Sequence, residues 1–423
     1  MVRHERNDRS NETQMSFPFN LPILLDGATA TNLSASGMPS GVCVEKWILD
    51  HPEPFLKLQS EFIAAGSQAV YAPTFGANKA CLSQYGLENE VADLNRKLVA
   101  LSQSVAKPAG VLVGGDLCPT GLFVPPFGEC DFDDIYDIYR EQIRALDEAG
   151  VDFLVVETQT SLADMRAAVL AARTTNLPIF VSITIDDSGH TLTGGSLLPT
   201  VITLQAMGVD AIGLNCSGGP ESMLEWIEAV APHASVPLIA KPSAGVPKQY
   251  SPKGTGYLSP QEYANELREL MRAGARVVGG CCGATPAHVK ALAQVVKEFK
   301  SLAVPKESDC YAAAIEREAF FLGDDIVFSE PIECTSGLGE DLIDLDDERV
   351  NAALVEVNSL DDAMQLCENS SMTRLPIAVH CDHLTVLDAV LRYFQGRLII
   401  DSDCQIETEL IEPLAAKYGA IIY

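Results

Sequence analysis

Short runs of Val, Ile and Leu recur through the first two thirds of the chain. Each ends at a glycine or polar turn and is followed by a stretch with helical spacing. The runs cover residues 23–26, 68–74, 111–117, 153–158, 179–185, 211–216, 237–243 and 277–281. Between them, 134–149 and 260–273 are amphipathic and stop at Gly150 and Gly274, as helix C-termini do. Eight strand-then-helix units predict an α/β fold, a (β/α)8 TIM barrel, whose usual length is about 250 residues. A doubly wound open sheet satisfies the same alternation. A barrel, however, gathers its chemistry at the C-terminal ends of its strands, and the polar residues fall there. Asp26 and Gly27 close the first run, Thr74 to Gly76 the second, Asp116 the third, Glu157 and Thr158 the fourth, Asn215 and Cys216 the sixth, and Cys281 and Cys282 the eighth. A strand buried on both faces has no reason to end in a carboxylate unless the rim needs one.

Beyond residue 300 the pattern changes. Residues 301–325 read as a linker, and 326–423 as a smaller αβ region. That region has apolar runs at 353–357, 375–379, 398–401 and 420–423 and helical patterns at 360–367, 384–394 and 406–417. Four runs supply half the strands of a closed barrel. Uncovered edges then require packing on the first unit, self-association or a partner protein. Residues 1–18 are polar and read as a disordered leader ahead of a barrel at 19–300, with Met15 an alternative start to Met1.

Composition narrows the function. At 423 residues and 47% hydrophobic, the chain can bury a large core and a smaller one. The net charge is −29, and residues 301–423 carry −18 of it, with 7 Lys and Arg against 25 Asp and Glu. Such acidity excludes nucleic acid and anionic membranes as partners. No apolar run nears the ~18 residues of a membrane span, and no signal-peptide pattern opens the chain. Twelve scattered cysteines without such a signal predict a reducing, cytoplasmic setting.

The densest chemistry lies in Gly279-Gly280-Cys281-Cys282-Gly283. Adjacent side chains diverge, so two neighbouring thiolates reach one metal only across a sharp bend, which flanking glycines permit. Cys216, in Gly213-Leu214-Asn215-Cys216-Ser217-Gly218-Gly219, has the same strand-end setting. Three thiolates predict a zinc site with a fourth position open to water or substrate. The competing reading is that these are small buried apolar residues.

These motifs resemble the homocysteine S-methyltransferases, including the homocysteine-binding module of cobalamin-dependent methionine synthase. The resemblance spans about residues 20–298. It rests on Leu25-Asp26-Gly27-Ala28, Thr74-Phe75-Gly76-Ala77-Asn78, Cys118-Pro119-Thr120-Gly121, Glu157-Thr158, Gly213-Leu214-Asn215-Cys216 and Gly279-Gly280-Cys281-Cys282-Gly283, in that order. It implies a (β/α)8 barrel, Zn2+ on Cys216, Cys281 and Cys282, and homocysteine sulfur as fourth ligand, methylated to methionine. A free thiol has a pKa of about 8.5, so metal binding would supply the thiolate nucleophile. The resemblance also implies substrate contacts: Asp26 and Glu157 toward the ammonium, and the N–H groups of Gly27 and Ala28 with the Thr74 hydroxyl toward the carboxylate. One departure is Ser243-Ala244-Gly245, where methionine-synthase-like members carry asparagine before Ala-Gly.

Residues 396–420 resemble part of the pterin-binding barrel that follows this module, and the chain stops about half-way through it. The expected methyl donor is a methylcorrinoid carried by a separate protein, an S-methylmethionine-like sulfonium, or betaine. Alternatives are methylation of another thiol or a selenol, and a noncatalytic zinc-stabilised scaffold that binds a corrinoid protein or other partner through 326–423. His288, after Thr285 and Pro286, reads as a helix-start residue rather than a ligand, and Trp47 as core or pocket wall.

Overall fold

The computed structural model describes residues 19–245, 256–299, 311–323, 325–345 and 350–423. Eight parallel strands follow the sequence pattern: β1 (Ile23–Leu24), β2 (Ala69–Tyr71), β3 (Leu112–Leu117), β4 (Phe153–Gln159), β5 (Ile179–Ile183), β6 (Ala211–Asn215), β7 (Leu238–Lys241) and β8 (Ala275–Val278). They pair in the order β1-β8-β7-β6-β5-β4-β3-β2. This is a nearly closed TIM-type barrel rather than an open doubly wound sheet.

Short β1 and β2 cannot form a full ladder, so side chains finish the seam between them. The Gln68 N–H donates to the Leu24 carbonyl, and its Oε1 accepts from the Leu24 N–H at 2.8 Å. One turn higher, Asp26 Oδ2 accepts from the Tyr71 N–H at 2.8 Å.

Alternation along the strands sorts residues between two cores. Phe153 and Val155 point into the barrel with Leu25, Tyr71, Phe180 and Ile239, and Phe19 closes its floor edge-on to Phe153 and Phe180 at 5.5 Å. Leu154 and Val156 point outward beneath the helices. The helices end as the sequence predicts: Phe132–Ala149 stops at Gly150 in left-handed conformation, and Pro260–Ala273 opens on a Ser259–Glu262 capping box.

The second region differs from a bare half barrel. The leader 1–18 and residues 301–310 lie outside the described residues. The remainder of the stretch read as a linker contains a hairpin, β9 (Ala312–Ile315) and β10 (Ala319–Phe321). A parallel sheet follows, made of β11 (Ile332–Glu333), β12 (Ala353–Glu356), β13 (Ile377–His380), β15 (Ile399–Ile400) and β16 (Ile421–Ile422). The short β14 (Gly396–Arg397) turns aside to pair with β9. The hairpin strand β9 is the joint between the two regions. Ala312 and Ala314 pack on Ile202 of the barrel helix Leu197–Ala206, while Ala313 packs on Ala378, Ile399 and Ile421. Alanine-rich Ala312-Ala313-Ala314 was too weak a signal to read as a strand, yet small residues are what a strand pressed between two layers requires.

Candidate metal centre and substrate pocket

At the C-terminal ends of the barrel strands, two turns converge. Strand β6 ends at Asn215, and Cys216 leaves it with a φ of 56°. Thr158, at the end of β4, has a φ of 59°, and these are the two non-glycine residues with positive φ among those described. Such conformations cost on the order of 1–3 kcal/mol each and persist where surroundings over-determine them. Asn215 supplies that constraint: its Oδ1 accepts from the Thr158 N–H at 3.0 Å and its Nδ2 donates to Thr158 Oγ1 at 2.7 Å. The same Nδ2 lies 3.8 Å from Cys281 Sγ.

The exit of β7 clamps both cysteine turns. The Lys241 carbonyl accepts from the Cys216 N–H, the Pro242 carbonyl accepts from Cys281, and Ala244 donates to the Cys282 carbonyl. Around the cysteine pair the glycines act mainly by size. A Cβ on Gly279 would lie 2.8 Å from that of Leu25, and one on Gly280 would lie 2.2 Å from that of Ala284; only Gly283 needs its positive φ. Ser243, the departure from the family pattern, donates its N–H to the Gly218 carbonyl.

The outcome is three sulfur atoms within 4.8 Å of one another, with Cys216 Sγ 3.7 Å from Cys282 Sγ. A tetrahedral zinc with Zn–S near 2.3 Å sets its sulfurs about 3.8 Å apart, close to the Cys216–Cys282 separation, so the donor set suits zinc. The metal-free thiols hold their protons tightly. For Cys281, the hydrogen bond with Cys216 and burial push the pKa to about 12. For Cys216 a bond with Cys281, and for Cys282 a bond with Cys216, pulls downward; the remaining thiol contacts and burial outweigh it and raise both to about 11.

The cysteines edge a pocket of about 330 Å³ whose floor carries Asp26, Asp116, Glu157 and Lys241. Burial pushes the Asp26 pKa up to about 6 despite the opposing charge of Lys241. Burial, reinforced by Glu157, pushes Asp116 well above the usual carboxylate range. Lys241 was not singled out from the sequence. Its side chain is 3% exposed, its Nζ donates to Glu157 Oε1 at 2.7 Å, and it lies 3.7 Å over the Tyr71 ring. Burial works against its charge, but Glu157 and Asp26 hold its pKa above the ordinary lysine value. The missed signal is the one that marked Glu157: a charge ending an apolar run, here Leu238-Ile239-Ala240-Lys241.

Of the expected substrate contacts, Asp26, Gly27, Ala28 and Glu157 line the pocket. Two expected donors are committed elsewhere. The Ala28 N–H donates to the Ala284 carbonyl at 3.1 Å. Thr74 is fully buried behind the wall, its hydroxyl donating to the Asp116 carbonyl and accepting from the Asp116 N–H, so it ties β2 to β3 instead of facing a ligand. His288 is structural: Thr285 Oγ1 meets its Nδ1 at 2.8 Å and the Leu258 carbonyl meets its Nε2 at 3.0 Å. Trp47 stacks on His51.

At the strand tips of a TIM-type barrel, three thiols placed close enough to hold a metal ion thus border a carboxylate-lined pocket. Residues 23–296 match the profile of the homocysteine S-methyltransferases, and the chain belongs to that family. It is similar to methionine synthase of Mycobacterium tuberculosis, 32% identical over an alignment of 294 positions that covers 65% of this chain and 24% of that protein. It is also similar to methionine synthase of Mycobacterium leprae, 28% identical over an alignment of 396 positions that covers 83% of this chain and 32% of that protein. The chain thus spans about a quarter to a third of the length of these relatives. Among solved structures it resembles the metallated form of the homocysteine methyltransferase MmuM from Escherichia coli. The TM-score is 0.55 with 26% identity, covering 64% of this chain and 95% of that one. No described helix is long and apolar enough to cross a membrane.

Proposed function

We propose that the protein transfers a methyl group to the thiol of homocysteine, forming methionine, at a zinc ion held by Cys216, Cys281 and Cys282. The convergence of three thiols from two strand tips on one point of a carboxylate-floored pocket carries this reading. Bound zinc would hold the substrate thiol as a thiolate at neutral pH, where a free thiol with a pKa of about 8.5 is mostly protonated.

The chain's own residues do the rest. Asp26 offers a carboxylate to the substrate ammonium, and the next position is held to glycine because a Cβ there would meet the Ala284 carbonyl at 2.7 Å. Asn215 holds the Cys216 turn and the end of β4 in register. Lys241 offsets part of the negative charge gathered by Glu157 and the cysteines. Methyl transfer to a thiolate needs no general base, so the reading asks none of the pocket carboxylates to take a proton.

The barrel at 19–300 carries the chemistry in this reading, and 326–423 serves as an acidic docking module for a partner protein. The methyl donor comes from outside: a methylcorrinoid on a separate protein, a sulfonium or a betaine. A reducing compartment such as the cytoplasm keeps the site thiols competent for metal. Turnover of homocysteine by the zinc-loaded protein with a panel of these donors tests the reading. Methionine formed with one donor, and lost in Cys281→Ser, supports it; no methionine with any donor refutes it.

A further inference from the structure

We propose that Cys81 and Cys118 form a reversible disulfide, which makes the corner beside the pocket a site of thiol–disulfide modification separate from the metal-binding triad. The inference stands apart from the choice of substrate and methyl donor.

Two thiols outside the triad lie in contact. Cys81 Sγ is 3.5 Å from Cys118 Sγ, although the residues are 37 apart in the chain. Asn78, itself fully buried, holds them together: its Oδ1 accepts from the Cys81 N–H at 2.9 Å, and its Nδ2 donates to Cys118 Sγ at 3.2 Å. One buried amide thus spends both of its ends on the same cysteine pair. The Cys118 N–H is tied in turn to the Phe75 carbonyl at 3.0 Å, so both cysteines belong to the corner where β2 and β3 leave the barrel. Phe75 and Asp116 of that corner line the pocket. The triad comes instead from the ends of β6 and β8.

The two thiols differ in the way that exchange requires. Cys81 is partly exposed, whereas Cys118 is only 4% exposed. The hydrogen bond between them lowers the Cys81 pKa against the effect of burial, and raises that of Cys118 well above the ordinary thiol value, where burial adds to it. Cys81 is therefore the thiolate that an incoming small disulfide meets first, with Cys118 the thiol behind it. The Cys81 thiolate attacks one sulfur of that disulfide, whose S–S bond breaks and releases a thiolate that takes up a proton from solvent. Cys118 then gives up its proton and attacks the Cys81 sulfur of the mixed disulfide, and the second small thiolate leaves and takes a proton in its turn. The cysteine pair is oxidised by two electrons and the small disulfide is reduced to two thiols. Excess small thiol runs the same steps backwards.

The test exposes the zinc-loaded full chain to 2-hydroxyethyl disulfide, a neutral probe that a net charge of −29 does not repel. Remaining thiols are blocked with iodoacetamide, and peptides are mapped by mass spectrometry without reduction. Wild type should yield a peptide pair joined through Cys81 and Cys118 and separated by dithiothreitol. Cys118→Ser, and Cys118→Ala as a second replacement, should stop at the mixed disulfide on Cys81. Cys81→Ser should slow modification of Cys118 at least about tenfold, because the remaining thiol is buried and protonated. Thermal unfolding verifies each variant, and the wild-type map decides the matter where a variant fails to fold. Absence of the joined pair from wild type overturns the inference, and so does modification of Cys118 at an unchanged rate in folded Cys81→Ser.

Discussion

Arg166 Nη2 donates to the Leu391 carbonyl at 2.7 Å, and its Nη1 donates to the Arg392 carbonyl at 2.9 Å. A guanidinium from the barrel helix Leu162–Ala172 thereby caps the C-terminal end of the helix Leu384–Tyr393 in the second region. Arg166 is only 1% exposed, and burial lowers its pKa to about 10; it is tolerated there because the helix-end carbonyls accept hydrogen bonds from its guanidinium. Arg392 returns the link by pairing with Asp133 of the barrel.

Replacing Arg166 should therefore loosen the joint. Arg166→Met keeps most of the volume but leaves two helix-end carbonyls without donors, a loss of about 2–4 kcal/mol. The expected result is a lowered unfolding midpoint and faster proteolytic release of a fragment containing 326–423. Unchanged unfolding and protease resistance would show that the two regions do not depend on this cap.

Asp26 should show opposing demands of stability and binding. Its folded pKa of about 6 lies above the ordinary 3.8, so its contribution to stability is full below about pH 3.8 and is lost as pH rises through 6. At pH 7 the ionised, buried carboxylate costs about 3 kcal/mol in the ligand-free protein. Asp26→Asn retains an oxygen for the Tyr71 N–H, and should raise stability at pH 7 by a large part of that amount while weakening homocysteine binding. The gain should fade by pH 4.5. Urea unfolding at the two pH values checks this, and a variant that is less stable at pH 7 would contradict it.

Metal uptake should release protons. With the three thiols at about 11 to 12 in the metal-free protein, each is protonated at neutral pH and must lose its proton to bind zinc. Affinity should climb with pH, by up to about a thousandfold per unit while three protons are displaced. Titration in two buffers of different ionisation enthalpy should give close to three protons released per zinc at pH 7. One or none would mean that the thiols are not the ligands.

Much of this architecture was legible because the relevant signals are local. Val111 to Leu117 or Phe153 to Thr158 reads as a buried strand from its own residues, and Gly150 marks a helix end by its conformational freedom. Paired cysteines between glycines likewise announce a bend. What stayed hidden depends on partners distant in sequence. The hairpin strand Ala312–Ile315 has little β-propensity of its own and is made a strand by two layers closing on it. Lys241 and Glu157 are 84 residues apart, so neither reveals that it neutralises the other. The family resemblance implied the Thr74 hydroxyl as a substrate donor, while in the structure that hydroxyl points across to β3, which no single-strand pattern encodes.

Zinc K-edge X-ray absorption on the zinc-loaded protein, recorded before and after homocysteine is added, reads whether the three cysteines hold a metal that takes the substrate sulfur. Three sulfurs at about 2.3 Å with one lighter neighbour are expected, becoming four sulfurs when homocysteine binds, together with loss of zinc from Cys281→Ser. Stoichiometric zinc retained when Cys216, Cys281 and Cys282 are all replaced by serine, or a sulfur count that homocysteine leaves at three, would contradict it.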